Sequence, residues 1–122
     1  MKTSRRKLGD LGEDLACEYL KNAGQEILHR NWTVGHLEID IISRDSRGLH
    51  FVEVKSRVDL GGRRIIKKNT KAKMAKVAKA ALRYAAGHSG SSELFFDIVT
   101  VVFQGGRTDI TYYPQAYLPI YY

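Results

Sequence analysis

Two periods of apolar residues run along this chain, and they predict two helices and five strands. Apolar residues at three- and four-residue steps give the first helix a stripe of Leu8, Leu11, Leu15, Tyr19 and Leu20. Alternating and β-branched segments predict the strands. The predicted order is helix 10–23, strands 25–32, 36–43 and 49–57, helix 70–86, and strands 94–103 and 107–113. Such an order is typical of an α/β or α+β domain with a mixed sheet.

Helix-capping and turn-forming residues predict where several of these elements begin or end. Asp10 and Glu13 are spaced as a capping box, so we expect the first helix to begin near Asp10, and Gly24 suits its C-terminal cap. Strand 94–103 is apolar on both faces, which is typical of a buried central strand. The Gly105–Gly106 pair predicts the turn into the last strand.

Two segments carry no clear period. Residues 58–69 hold a Gly-Gly pair and several cations, and we expect a long, mobile, basic loop. The tail 114–122 holds two prolines and three tyrosines, and we expect it to pack on its own domain or on a second copy of the chain. No break divides the chain, so we expect a single domain over 1–122. The aromatic tail offers apolar surface through which two copies of the chain could form a homodimer.

Charge is concentrated in one part of the chain. The net charge is +7, yet residues 1–59 hold ten basic and ten acidic side chains, whereas 60–92 hold nine basic and none acidic. A clustered basic segment is typical of proteins that bind nucleic acid, and the alternative is a solvated lysine-rich helix face. The residues predicted to contact DNA are Arg57, Arg63, Arg64, Lys67, Lys68, Lys71, Lys76, Lys79 and Arg83.

Other compositional features exclude several classes of protein. A single cysteine, Cys17, excludes an internal disulfide framework and an all-thiolate zinc site, and the helical wheel places it on the polar side of the first helix. No apolar run is long enough to cross a bilayer or to form a signal peptide. We therefore expect a soluble cytoplasmic protein without a membrane partner.

The second and third strands carry the residues with the clearest chemistry. Glu53, Lys55 and Arg57 alternate onto one face of their strand, as Glu38 and Asp40 do on the other strand. A hairpin turning at 45–47 places Asp40 opposite Glu53 or one diagonal step from it. Carboxylates in this arrangement suit magnesium or manganese and phosphodiester chemistry, and the alternative is a cross-strand salt bridge with Lys55.

Four blocks of sequence resemble the YraN family of small bacterial proteins. The blocks are Leu8 to Ala16, Asn31-Trp32, Glu38 to Ile42, and Phe51 to Arg57. That family is grouped with restriction-endonuclease-like PD-(D/E)xK nucleases and is related in fold to archaeal Holliday junction resolvases. The resemblance covers about residues 8–102 and implies a central mixed β-sheet flanked by helices.

The resemblance also implies an activity and a set of site residues. A metal would be held by Asp40, Glu53 and the backbone carbonyl of Val54, with Lys55 as the catalytic lysine and Glu13 directed toward the same site. The expected function is a Mg- or Mn-dependent endonuclease acting on DNA, structure-selective in the manner of a resolvase. The first alternative is a non-catalytic nucleic-acid-binding module on a nuclease fold, and the second is a protein-interaction domain.

Overall fold

The computed structural model describes residues 4–58, 71–87 and 93–116, which form seven elements. They are α1 (Ser4–Asn22), β1 (Glu26–Val34), β2 (Leu37–Arg44), β3 (Gly48–Val58), α2 (Lys71–Ala86), β4 (Glu93–Gln104) and β5 (Arg107–Tyr113). Of the predicted basic loop only Val58 is described, as the last residue of β3, and the predicted tail is described as far as residue 116. The mobility of that loop and the self-association of the chain therefore stay predictions.

The five strands form one mixed sheet in the order β1-β2-β3-β4-β5. Strands β3 and β4 pair in parallel over eleven residue pairs, from Gly48↔Glu93 to Val58↔Phe103, and the other neighbours are antiparallel. Parallel neighbours need a crossover, and α2 supplies it. The fold class is confirmed: a five-stranded mixed sheet flanked by two helices, consistent with an α+β nuclease-like fold.

The two helices cover opposite faces of the sheet. Adjacent residues of β3 show this, because Phe51 packs in the cluster that contains α2, whereas Val52 packs in the cluster that contains α1. Since successive side chains of a strand alternate between faces, the two clusters lie on the two sides of the sheet. Within the described residues, neither helix is long and apolar enough to cross a membrane.

The first helix begins earlier than predicted and ends as predicted. It starts at Ser4, so Asp10 and Glu13 lie within its turns and the predicted capping box is wrong. Gly24 closes the helix with a φ of +91°. Its N–H donates to the carbonyl of Lys21 at 3.0 Å, and the next N–H, of Gln25, donates to the carbonyl of Leu20 at 2.9 Å. This is the bonding of a Schellman cap.

The buried face of α1 is also rotated from the predicted stripe. Leu11 and Tyr19 are 48% and 38% exposed, while Gly12, Ala16 and Leu20 are buried. The reason is close approach of α1 to β3: a Cβ on Gly12 would lie 1.8 Å from Ser56 Oγ and 2.9 Å from Ser56 Cβ. Small residues therefore face the sheet near Ser56, while Leu11 and Tyr19 are turned toward solvent. Cys17 shares this face at 5% exposure, so its predicted polar position is wrong.

A buried polar network joins the β2–β3 turn to β4 and β5. The ring of His50 lies between two carboxylates, with Nδ1 2.7 Å from Asp97 Oδ2 and Nε2 2.9 Å from Asp45 Oδ2. The Tyr112 hydroxyl and the Gln115 N–H also donate to Asp97. Burial alone would lower the pKa of His50, but the two carboxylates raise it above its usual range. This network fixes the chain where it leaves β5.

Two glycines of α1 provide a direct test of this packing. Gly12→Ala should lower the free energy of unfolding by about 1–3 kcal/mol, because the added methyl overlaps Ser56 and forces α1 from the sheet. Gly9→Ala is the matched control, since a Cβ at Gly9 meets no atom within 4 Å. It should stabilise by about 0.5–1 kcal/mol through helix propensity. Urea denaturation measures both, and equal effects of the two substitutions would contradict the close contact.

Candidate functional site

Asp40 lies at a local break in the regular alternation of β2. Ile39 packs in the α2-side cluster and Ile41 in the α1-side cluster, although residues two apart in a strand ordinarily share a face. The pairing of β1 with β2 keeps one register from Arg30↔Ile41 to Trp32↔Ile39, and Asn31, which lies between these pairs, has a φ of +52°. The alternation expected along β2 is therefore broken between Ile39 and Ile41, the two neighbours of Asp40.

The Asp40 carboxylate lies where β2 and β3 begin to part. The pairing of the two strands runs from Arg44↔Leu49 to Ile41↔Val52, and the next step of that register is Asp40 with Glu53. Asp40 Oδ2 accepts a hydrogen bond from the backbone N–H of Val54 at 2.8 Å. One carboxylate oxygen is thus held by the backbone, which fixes the side chain beside Glu53.

Three acidic side chains from two elements meet at this point. Among the described residues, carboxylate oxygens of Glu13, Glu38 and Asp40 all lie within 4.8 Å of one another. Glu13 comes from α1, and the other two come from β2. Hard oxygen ligands at this separation could bind a divalent metal ion. The structure brings Glu13 and Asp40, both predicted site residues, together with Glu38, which was not among the predicted ligands.

Burial and like charge make ionisation of Asp40 unfavourable. Burial is the larger cause, and the negative charges of Glu13, Glu53 and Glu38 add to it, so the pKa of Asp40 rises to about 7. The N–H of Val54 opposes this shift. Burial and Glu38 likewise raise the pKa of Glu13, against a hydrogen bond from Asn31 and the positive charge of Arg30. A cation placed among these carboxylates would remove much of that cost.

Arg30 and Asn31 of β1 contact the carboxylate of Glu13. Arg30 Nη2 lies 2.8 Å from Asp14 Oδ1 and 3.6 Å from Glu13 Oε1, and the Asn31 side chain hydrogen-bonds Glu13. Asn31 adopts a left-handed backbone conformation. This conformation is unfavourable in free energy for residues other than glycine, and residues that adopt it cluster at functional sites. Sequence reasoning gave neither residue a role, although the Asn31-Trp32 pair belonged to the resemblance.

Glu53 and Lys55 form a pair on the neighbouring strand. Lys55 Nζ lies 3.5 Å from Glu53 Oε1, and both side chains are largely buried, at 13% exposure for Lys55 and 16% for Glu53. They alternate onto the same face of β3, as the sequence pattern requires. Val54 lies between them and directs its N–H to Asp40. The catalytic roles of Asp40, Glu53, Lys55 and Glu13, and the metal-binding role of the Val54 carbonyl, stay predictions.

A cavity of about 780 Å³ opens between β2 and α2. One side carries the acidic residues Glu38, Asp40 and Glu53 together with His36. The other side carries three exposed cations of α2, namely Lys76, Lys79 and Arg83. The structure therefore brings the acidic residues of the two strands and part of the predicted basic surface into one cavity.

The remaining predicted DNA contacts are placed less completely. Arg57 is half-buried near the end of β3, and Lys71 is the first residue of α2. The predicted contacts outside the described residues are Arg63, Arg64, Lys67 and Lys68. Whether the basic segment binds DNA as one surface stays a prediction.

Comparison with known proteins shows to which protein family the chain belongs. The family described as Uncharacterised protein family UPF0102 matches residues 12–101, a range that contains α1 from Gly12, the acidic cluster and the Glu53–Lys55 pair. The chain belongs to this family, and the predicted YraN resemblance is confirmed.

Individual relatives align over most of their length. A UPF0102 protein of Nocardia farcinica is 36% identical over 107 residues, covering 87% of this chain and 84% of that protein. One of Myxococcus xanthus is 33% identical over 114 residues, covering 93% and 90%. One of Bacteroides fragilis is 35% identical over 112 residues, covering 92% and 93%. The names of these three proteins state neither an activity nor a cofactor.

The cost of burying Asp40 predicts a pH-dependent change in stability. Because its folded-state pKa of about 7 lies above the ordinary value of 3.8, the folded protein binds the proton more tightly. The wild type therefore loses stability as the pH rises through that window. Without divalent cations, Asp40→Asn should raise the free energy of unfolding at pH 8 by on the order of 2–4 kcal/mol, and the gain should fade near pH 4.

Glu18→Gln on the exposed side of α1 is the control and should show no such pH-dependent gain. Urea denaturation in EDTA at both pH values measures the effect. Loss of stability in Asp40→Asn at every pH would show that the carboxylate serves as a structural acceptor for the Val54 N–H.

Proposed function

We propose that this protein is a Mg- or Mn-dependent endonuclease that acts on DNA and selects its substrate by structure. The observation that carries the proposal is the cavity in which Asp40 and Glu53 face the cations of α2. Acidic residues suited to a divalent cation and basic residues suited to phosphate lie on opposite sides of one space. Phosphodiester hydrolysis needs both at once, because a metal site alone repels DNA until it is loaded.

Asp40 and Glu53 would hold the metal, together with the backbone carbonyl of Val54. The residues fit such an ion: they offer oxygen ligands, and the free energy cost of ionising Asp40 is of the kind that a cation relieves. Glu13 and Glu38 lie close enough to Asp40 to complete the set of ligands or to bind its water molecules. When bound, the metal would activate water and neutralise charge on the phosphate.

Lys55 would act on the phosphate side of the site. Its ammonium group already lies beside Glu53, so it is held near the place where the scissile phosphate would meet the metal. A buried ammonium is positioned to stabilise negative charge that develops on the phosphate oxygens. Asn31 and Arg30 would keep Glu13 in place.

The basic side of α2 would bind the DNA backbone. Lys76, Lys79 and Arg83 are exposed at three- and four-residue spacing along the helix, so they form one row. Phosphates bound along this row lie across the cavity from the acidic residues. The predicted contacts of the segment 58–69 would extend this surface.

One observation favours the alternative of a non-catalytic nucleic-acid-binding module. Asp40 accepts a hydrogen bond from Val54, and Glu53 pairs with Lys55, so each carboxylate has a protein partner without a metal. In that case the carboxylates would maintain the β2–β3 geometry, and the α2 cations would bind DNA without cleavage. The two functions predict different effects of neutralising one carboxylate.

Neutralising either predicted metal ligand should separate these functions. Asp40→Asn and Glu53→Gln should each abolish cleavage of branched, single-stranded or duplex DNA in Mg²⁺ or Mn²⁺. Calorimetry should show divalent-cation binding lost in both variants. Metal-free DNA binding should be unchanged or tighter, because the removed negative charge repels phosphate. Glu18→Gln, on the same helix as Glu13 but exposed, is the control and should cleave as the wild type does.

The wild type in EDTA should also be inactive. One result would contradict the nuclease and favour the binding module. It is a wild-type protein that binds DNA, binds neither Mg²⁺ nor Mn²⁺, and cleaves none of the three substrates.

A further inference from the structure

The cavity beside the acidic residues has an apolar floor that phosphate binding does not require. Between its acidic and basic sides it is lined by Val34, Leu37 and Ile39 from the strands and by Val77 and Ala80 from α2. Val77, Ala80 and Ile39 belong to the buried cluster on this face of the sheet, and Val34 and Leu37 pack against it. The floor is therefore an aliphatic surface that is continuous with the packed core.

The size of the cavity restricts what can enter it. Its volume of about 780 Å³ lies within the roughly 300–1,000 Å³ of pockets that enclose one small organic molecule. A DNA duplex is far larger, since its major groove alone admits an α-helix, and its paired bases are stacked inside. A nucleotide whose base is unpaired is small enough, and it exposes the flat apolar face of that base.

The chemistry of the lining matches two parts of such a nucleotide, its phosphate and its base. Phosphate oxygens suit the cations at positions 76, 79 and 83, and a phosphodiester bound there points across to Asp40 and Glu53. A base suits the aliphatic floor between them, because enzymes that hold unstacked bases place them against aromatic or apolar side chains. A backbone bound by charge alone would leave this floor exposed to water.

We propose that the cavity binds an unpaired nucleotide of single-stranded DNA, with its base on the part of the floor that Leu37, Val34 and Val77 form. The proposal rests on the DNA-binding part of the proposed function and deepens it by naming the substrate: a single-stranded segment or the unpaired part of a branched molecule. Duplex DNA is too large to enter the cavity, so its binding would leave the floor uncovered.

The test compares two oligonucleotides of equal length and charge. Fluorescence anisotropy with the full chain in EDTA measures binding of an oligothymidylate and of the same backbone with every base removed. If the floor binds bases, the oligothymidylate should bind about five- to a hundredfold more tightly, because burial of the apolar face of a base against aliphatic side chains contributes on that scale. A fully paired duplex of the same length should bind less tightly than the oligothymidylate at matched phosphate number.

Three variants assign the difference to this cavity. Leu37→Gln should lower the ratio of the affinity for the base-containing strand to that for the abasic strand toward one. The affinity for the abasic strand itself should stay unchanged. Lys79→Gln should weaken both strands alike and should make the slope of log affinity against log salt shallower by about 0.7, the value for one phosphate contact on a single strand. Lys21→Gln, an exposed lysine in the last turn of α1, is the control and should change neither quantity.

Each outcome decides between the two proposals. Equal binding of the base-containing and abasic strands by the wild type would overturn the base-binding floor and leave the nuclease proposal standing. Absence of binding to both strands and to the duplex would overturn the DNA-binding part of the proposed function as well. The wild-type comparison does not depend on any substitution, so an unfolded Leu37→Gln would not affect it.

Discussion

The carboxylate of Asp40 is the constraint on which the candidate site depends. It lies where β2 and β3 part, accepts a hydrogen bond from the N–H of Val54, and has an oxygen within 4.8 Å of carboxylate oxygens of Glu13 and Glu38. A buried carboxylate beside other carboxylates destabilises a fold unless something compensates it. The backbone N–H supplies part of that compensation, while burial and the neighbouring carboxylates raise the pKa of Asp40 to about 7.

The rest of the architecture places other groups around this carboxylate. The long parallel pairing of β3 with β4 holds Glu53 and Lys55 in register, and α2, which connects these strands, covers the same face. On the opposite face, α1 packs closely through Gly12 and brings Glu13 to the end of β2. Acidic residues from two strands and a helix thereby converge, and the cations of α2 face them across one cavity.

Most of the fold could be predicted from the sequence because its elements have strong local signals. The bounds of β5 were predicted as observed, and β4 with its glycine turn differs by one residue at each end. The Gly24 cap arises from local chemistry in the same way. The face of α1 was not predictable, because contact with Ser56 favours small residues where hydrophobicity alone favours Leu11 and Tyr19.

The site was predictable in its residue types and less so in its geometry. Alternation and hairpin register bring Asp40 to Glu53, and the family resemblance adds Glu13. Glu38 joined the cluster without being a predicted ligand, although alternation places it on the same face of β2 as Asp40. The pairing of His50 with Asp45 and Asp97 was also missed, because the partners come from a turn and from a strand 47 residues away.

The acidic cluster is the proposed cation site, and paramagnetic relaxation tests this assignment most directly. Mn²⁺ titrated into ¹⁵N-labelled protein broadens amide signals near the ion, and EDTA reverses the effect. We predict broadening centred on the amides of Glu13, Asp40 and Val54, with those of Asp45 and Asp97 unaffected until the cluster is saturated. Broadening spread over exposed carboxylates, or centred on Asp45 and Asp97, would contradict a cation site at Asp40.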